Sequence, residues 1–529
     1  MLAFMVGIAL FGQQVQRFAG FPLDDAWIHQ VVGGNLARYG VPSFAPGDAP
    51  AGSTSTLWPA VVALNRLVFS AVEPHLFLFV FNAAMLALSL AAIAALAIED
   101  RLPTAEAACL IVLPALTGNF LWLAASGMEH SLFVALVLLA AAIWTSPRLS
   151  PRTNAAFAGT VLGLAILTRI EAIAFAPIFL VARQLIDSRQ RPFAAVSTLA
   201  WFLGPLVIAT LLVVANNLWT SGTVLPVTMQ GRRWLYFGLN AHPDLGNLLA
   251  EWEVRIHRWY FRFVDETSSG STVAIARLVV NLGLLLGVVS LGRLKAWRTI
   301  FALTLVLATI AMYAVVLPTG GHGGRYQALL MPFVMPLFGI GLIAVGRWAG
   351  GRLGSPPRLL DWSTGVSVAA VAAVSINAMV KWAHLTGDGI RHINDTEVRM
   401  ADWIRSHVPK DDAVASFDIG GIGRFAEHRI VDLGGLTDPT FVPNLYAGSV
   451  AAYLEKHSIA WLVLPTDPDH DESDPGSYVA RLGLRDGAVL TKEKVITFES
   501  SPQLWSAPYL ATGLSTRAQT LYKLHWTSQ

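Results

Sequence analysis

The sequence predicts a polytopic α-helical membrane protein of about eleven spans, carrying a C-terminal extracytoplasmic α/β domain. Three observations lead there. Hydrophobic residues make up 54% of the 529 residues and charged ones only 14%, against about a quarter charged in an ordinary soluble domain. Apolar runs of roughly the 20 residues that cross a bilayer recur through the first 382 residues. The remainder then changes character. Residues 383–529 hold 13 Lys+Arg against 19 Asp+Glu, whereas 1–382 hold 24 against 16. An acidic tail of this kind is a poor partner for anionic headgroups or nucleic acid.

The expected spans fall near 1–17, 76–98, 107–124, 130–146, 155–167, 173–186, 195–218, 273–292, 299–317, 327–346 and 363–382. The first lacks a basic leader and a small-residue cleavage site, so it reads as a retained helix rather than a signal peptide. Positive charge sets the orientation. With the N-terminus cytoplasmic, the inner loops hold Arg101, Arg148, Arg152, Arg183, Arg189, Arg191, Arg293, Lys295, Arg298, Arg347, Arg352 and Arg358. Two long stretches, 18–75 and 219–272, then lie outside together with the tail. The expected division is a membrane module over 1–382 and a soluble domain over 383–529, in the plasma (inner) membrane. Within the tail, Glu397–His407 has helical spacing and stops at Pro409. The runs 413–417, 429–433 and 460–464 read as buried strands, with a short helix over 450–457. Cys109 is the one cysteine, which excludes an intrachain disulfide and a Cys-based metal site.

Charged groups at membrane depth are costly and need a reason. Asp24-Asp25 directly follows the first span. The pair can act as a general base, as metal ligands, or as an N-cap in a solvated turn. Glu129, in Ser126-Gly127-Met128-Glu129-His130, can position a substrate hydroxyl or serve as a helix-start acid. Arg169 and Glu171 can bind a ligand or pair with their neighbours. Arg232-Arg233 suit a phosphate or a plain basic turn. Gly320 to Gly324 lead into Arg325 and Tyr326 and permit a close backbone approach to an anion. Taken together they put an acidic site and three Arg-bearing loops on one membrane face. Transfer of a group from an anionic lipid would need that arrangement.

The sequence resembles the GT-C class of membrane glycosyltransferases, and within it the bacterial members related to mycobacterial terminal arabinofuranosyltransferases. The likeness rests on Asp24-Asp25-Ala26-Trp27-Ile28 with Asn35-Leu36-Ala37, on Pro46-Gly47, and on Gly52-Ser53-Thr54-Ser55-Thr56-Leu57-Trp58. It continues through Ser126-Gly127-Met128-Glu129, Thr168-Arg169-Ile170-Glu171, Pro226-Val227-Thr228, Arg325-Tyr326 with Pro332, and Val431 to Asp438. The chain departs from the class pattern at Ile170, where relatives carry Pro, and at Val227, where they carry Asn.

The resemblance implies a GT-C fold and inverting transfer from a polyprenyl-phosphate-linked sugar donor to a glycan or lipid acceptor. It implies Asp24 as general base, with Asp25 orienting it or holding a divalent metal (Mg or Mn). Arg325, Arg232, Arg169 and Tyr326 would hold the donor phosphate, and Glu129, His29 and Glu171 would contact substrate. A transporter, or a non-catalytic binder of lipid-linked sugar, is the alternative; a transporter should show inverted repeats and mid-helix acids.

Overall fold

The computed structural model describes every residue except 46, 49, 188–195, 238–273, 317–320, 355, 468, 470, 488, 502–516 and 528–529. Pro46, Arg189, Arg191 and Gly320 therefore lie outside the described residues, and so does most of 219–272.

The chain is a multi-pass helical membrane protein with a C-terminal sheet domain. Its membrane part begins with α1 (Leu2–Phe18), α2 (Asp24–Tyr39), α3 (Trp58–Val68) and α4 (Pro74–Glu99). Next come α5 (Thr104–Val112), α6 (Gly118–Ala125), α7 (His130–Thr145) and α8 (Pro151–Thr168), then α9 (Ala176–Asp187), α10 (Val196–Ser221) and α11 (Val227–Phe237). The last four are α12 (Ala274–Arg293), α13 (Trp297–Val316), α14 (Met331–Arg352) and α15 (Pro357–Ile393). Among the described residues the apolar runs read from the sequence fall largely on helix, with 107–124 interrupted at Thr117 and 327–346 α-helical from Met331. Among the described residues, however, five helices are long and apolar enough to cross a bilayer, or six if the bent pair Thr104–Leu116 and Gly118–Ala125 is one span. The count of eleven is not confirmed. Several helices, such as α7, are too short by that measure.

Lipid supplies no hydrophobic drive between helices, so close backbone approach matters more. Gly159 and Gly163 of α8 lie on the backbone of α10 at Phe202 and Pro205. Gly283 and Gly287 of α12 meet α14 at Gly341 and Leu337 in the same way. A side chain at these glycines would push the helices apart.

α15 spans 37 residues, about 55 Å at the helical rise. It runs through a π-turn at Asn394–Val398 into α16 (Arg399–His407). The last long helix is thus continuous with the first helix of the sheet domain. A five-stranded sheet follows, with β1 (Val414–Ser416), β2 (Ile430–Asp432), β3 (Trp461–Thr466), β4 (Leu490–Glu499) and β5 (Ala518–Trp526) in the order β2-β1-β3-β5-β4. β1 pairs in parallel with β2 and β3, while β5 pairs antiparallel with β3 and β4. Between β1 and β2 lies α17 (Gly420–Phe425), and between β2 and β3 lie α18 (Val442–Ala447) and α19 (Val450–Lys456).

Candidate active site

Asp24 and Asp25 open α2, where the exposed N–H groups of a helix start favour acids. Successive side chains on a helix diverge by about 100°, so the two carboxylates face different partners. Asp25 faces Arg232 of α11 and Arg325. Arg232 Nη2 donates to both of its oxygens at 2.9 Å, and Arg325 Nη2 donates to Oδ2. Asp24 faces the sheet domain: its Oδ2 accepts from Gly420 N at 3.0 Å and its Oδ1 from Gly421 N at 2.7 Å. It also shares a hydrogen bond with the Glu397 side chain, whose Oε2 accepts from Gly421 N at 3.1 Å.

The electrostatics separate the pair further. Burial pushes the Asp25 carboxyl up, but the guanidinium groups of Arg232 and Arg325 outweigh it and hold the group far below the usual carboxylate range. Asp24 moves the other way. Its burial, with the charge of Asp25, exceeds the lowering by Glu397 and the two backbone N–H groups. Asp418, buried and close to Asp24, is pushed up to about 7, although Gln519 donates to it at 2.6 Å.

Arg325 is 1% exposed, and its Nε and Nη1 are buried with no hydrogen-bond partner. A buried guanidinium with two unpaired donors is costly unless a ligand completes it. The 3₁₀ turn His322–Gln327 presents it, and that turn needs glycine. Gly323 and Gly324 have φ of 65° and 74°, and a Cβ on Gly323 would strike the Trp122 ring.

Tyr326 joins the cationic side of the site. The guanidinium carbons of Arg325, Arg169 and Arg232 lie 5.5, 5.6 and 5.9 Å from its ring centre, within cation–π range. The ring stacks on Tyr313 at 5.3 Å.

Arg169 differs from the other two. Its Nε donates to Glu171 at 2.5 Å, its Nη1 to Glu129 at 2.6 Å, and its Nη2 to the Tyr313 hydroxyl at 2.6 Å. All three nitrogens are engaged, so the arginine expected on donor phosphate instead locks Glu129 and Glu171. His29 Nε2 stands 3.8 Å from Glu129 Oε2, on the α2 side of that network. The cavity that Asp25, His29, Thr228 and Arg232 line is small, about 40 Å³.

A divalent ion does not fit at Asp25 in this arrangement. Both carboxylate oxygens accept from arginine, which sets two fixed positive charges where the cation would sit.

The sequence reading missed the sheet domain's part in the site. Asp432 accepts from the backbone N–H of Gly434, Leu436 and Thr437, shaping the loop after β2. That loop meets α11 at Gly231, next to Arg232, and Gly52 N donates to Thr437 O at 3.1 Å. Tyr446 of α18 donates to Gln230 O at 2.9 Å. The Gly420-Gly421 pair after β1 was the available signal, since adjacent glycines permit close backbone approach.

Residues 389–521 match a family described as a domain of unknown function (DUF8728). A comparison with curated proteins gives no match. Among solved structures, the oligosaccharyltransferase of Archaeoglobus fulgidus, crystallised with zinc and sulfate, is similar at 13% identity with a TM-score of 0.53. The match covers 88% of this chain and 68% of that one. The arabinofuranosyltransferase AftD from mycobacteria is similar at 17% identity with a TM-score of 0.51, over 99% of this chain. The chain spans 41% of that protein's length. Both are GT-C glycosyltransferases, and the chain has the GT-C fold.

Proposed function

We propose that the chain is an integral membrane glycosyltransferase that moves a sugar from a polyprenyl-phosphate donor to a cell-envelope glycan or lipid acceptor. The reaction takes place on the extracytoplasmic side, the N-terminus being cytoplasmic and the C-terminal domain outside. One observation carries the reading. Asp25, a carboxylate, bridges the half-buried Arg232 and the buried Arg325, and Arg325 keeps two unpartnered nitrogens. An anionic phosphate meets the same donors and can complete them.

In this reading the donor phosphate takes over Arg232 and Arg325, and Asp25 is released. The carboxylate then loses the charges that depress its basicity, so donor binding makes it a competent base. Asp25 takes the proton of the acceptor hydroxyl. The hydroxyl oxygen attacks the anomeric carbon from the face opposite the phosphate. The carbon–oxygen bond to phosphate breaks, its electron pair leaves with the polyprenyl phosphate, and the anomeric configuration inverts. Fixed donors around growing phosphate charge contribute about 2.7–4 kcal/mol each, and a general base adds about 10²–10⁴-fold. Asp24, bound to Gly420 and Gly421, holds the sheet domain over the site. Arg169 orients Glu129 and Glu171 toward substrate, with His29 beside them, and Tyr326 holds the arginines in place.

The test is purified full-length protein with a panel of polyprenyl-phosphate-linked pentoses and hexoses and envelope glycan fragments. Release of polyprenyl phosphate together with a glycosylated acceptor is expected. Tight donor binding with no turnover on any acceptor would point to a binder of lipid-linked sugar instead.

A further inference from the structure

The side of α2 away from Asp25 faces a second, larger space. A cleft of about 1020 Å³ lies between α2, α3 and α17, where the membrane part meets the sheet domain. Arg38 of α2, Arg66 of α3 and Arg424 of α17 all line it. Arg66 and Arg38 both act on Arg424 as like charges. Arg66 Nε and Arg424 Nε are buried without a hydrogen-bond partner. Gln30 also lines the cleft, at 2% exposure, and both its amide oxygen and its amide nitrogen lack partners. The acids nearby offset the cluster only in part. Asp48 pairs with Arg429 at 3.3 Å, Glu427 is exposed, and Glu73, also exposed, acts on Arg424 against the two arginines.

Two guanidinium groups with buried, unpaired Nε atoms on one cleft, with the exposed Arg38 beside them, offer donors that an anion would complete. A buried amide with both ends unpaired calls for a group that donates and accepts, such as a hydroxyl. The cleft also borders an apolar strip. Leu67 lines it, and Leu64, Leu67, Val68 and Phe69 at the end of α3 are exposed.

We propose that this cleft binds the headgroup of an anionic, hydroxyl-bearing lipid. Phosphate sits on Arg38, Arg66 and Arg424, a headgroup hydroxyl pairs with Gln30, and hydrocarbon lies along the strip at the end of α3. The site is separate from the Asp25 centre and does not depend on the transfer reaction proposed there.

Native mass spectrometry of the full-length chain, delipidated and then offered defined lipids, tests this. Phosphatidylglycerol is expected to be retained and phosphatidylcholine not. In the Arg66→Gln/Arg424→Gln double variant, phosphatidylglycerol retention should fall by about tenfold for each charge removed. That variant should unfold, without lipid, at a temperature no lower than the unmodified protein, because it removes repulsion. Gln30→Leu leaves the charges in place. It should weaken phosphatidylglycerol relative to phosphatidic acid, whose headgroup has no alcohol hydroxyl. Equal retention of phosphatidylcholine, undiminished phosphatidylglycerol in the double variant, or an unchanged lipid ratio in Gln30→Leu would each overturn the assignment. Competition by glycerol 3-phosphate at the concentration where the lipid binds would overturn the lipid as the occupant.

Discussion

Asp25 accepts from Arg232 through both of its oxygens and from Arg325 through one, although the three residues come from segments some 200 and 300 positions apart. Asp24, its immediate neighbour, is tied instead to Gly420 and Gly421 of the sheet domain. The two acids of one motif therefore divide the work. One belongs to the cationic site and the other to the interface above it.

Arg325→Gln removes the guanidinium with two unpartnered nitrogens. We expect kcat/KM to fall by about 10²–10³-fold. Because Asp25 also loses a charge that depresses it, the acidic limb of kcat/KM against pH should move upward. A pH profile of the variant checks this, and an unshifted limb would separate Asp25 from Arg325.

Arg169→Gln acts on stability first. It strips the cationic partner from Glu129, which is fully buried, and from Glu171, which keeps the Tyr313 hydroxyl. Removing one side of a buried ion pair costs about 3–5 kcal/mol. The expected result is a clear drop in the thermal unfolding midpoint, larger than that of Arg232→Gln, whose site is more open.

Gly420→Val tests the attachment of the sheet domain. A Cβ there would run into the backbone and carboxylate of Asp24. Limited proteolysis should cleave the variant's domain faster than the unmodified one. Transfer should fall as well, because the same domain backs Arg232 through the loop at Gly434 and Gly435.

The acids at the interface predict a pH dependence. Asp418 is raised to about 7, above an unfolded value near 3.9. Its contribution to stability is complete below about pH 4 and is lost as pH rises through about 7. Asp418→Asn stays uncharged throughout. The stability difference between the variant and the unmodified protein should therefore change between about pH 4 and 7, as urea unfolding followed across that range would show.

The membrane helices were legible because their signal is local: α4, α10 and α14 read as continuous apolar runs. Helices α2, α3 and α11 were not, since they lie in stretches that read as outer loops and mix charge with apolar residues. β4 escaped for a related reason: Lys492, Glu493 and Lys494 make its middle polar, and Glu493 and Lys494 are exposed. At the site, the sequence reading picked out Asp25, Arg232, Arg325 and Tyr326, and the fold brings them together. Which aspartate faces the arginines depends on the direction in which α2 starts, and no pattern along the chain encodes that. The partners of Asp24, namely Glu397 and the Gly420-Gly421 pair, lie nearly 400 residues away. The engagement of Arg169 likewise depends on Tyr313, a residue with no mark in the sequence.

The most direct measurement compares turnover of Asp25→Asn and Asp24→Asn, in protein shown to be folded, with the same lipid-linked donor. Asp25→Asn should lose about 10²–10⁴-fold in kcat, and Asp24→Asn should retain most of its turnover. Turnover in Asp25→Asn equal to that of the unmodified protein would contradict the account.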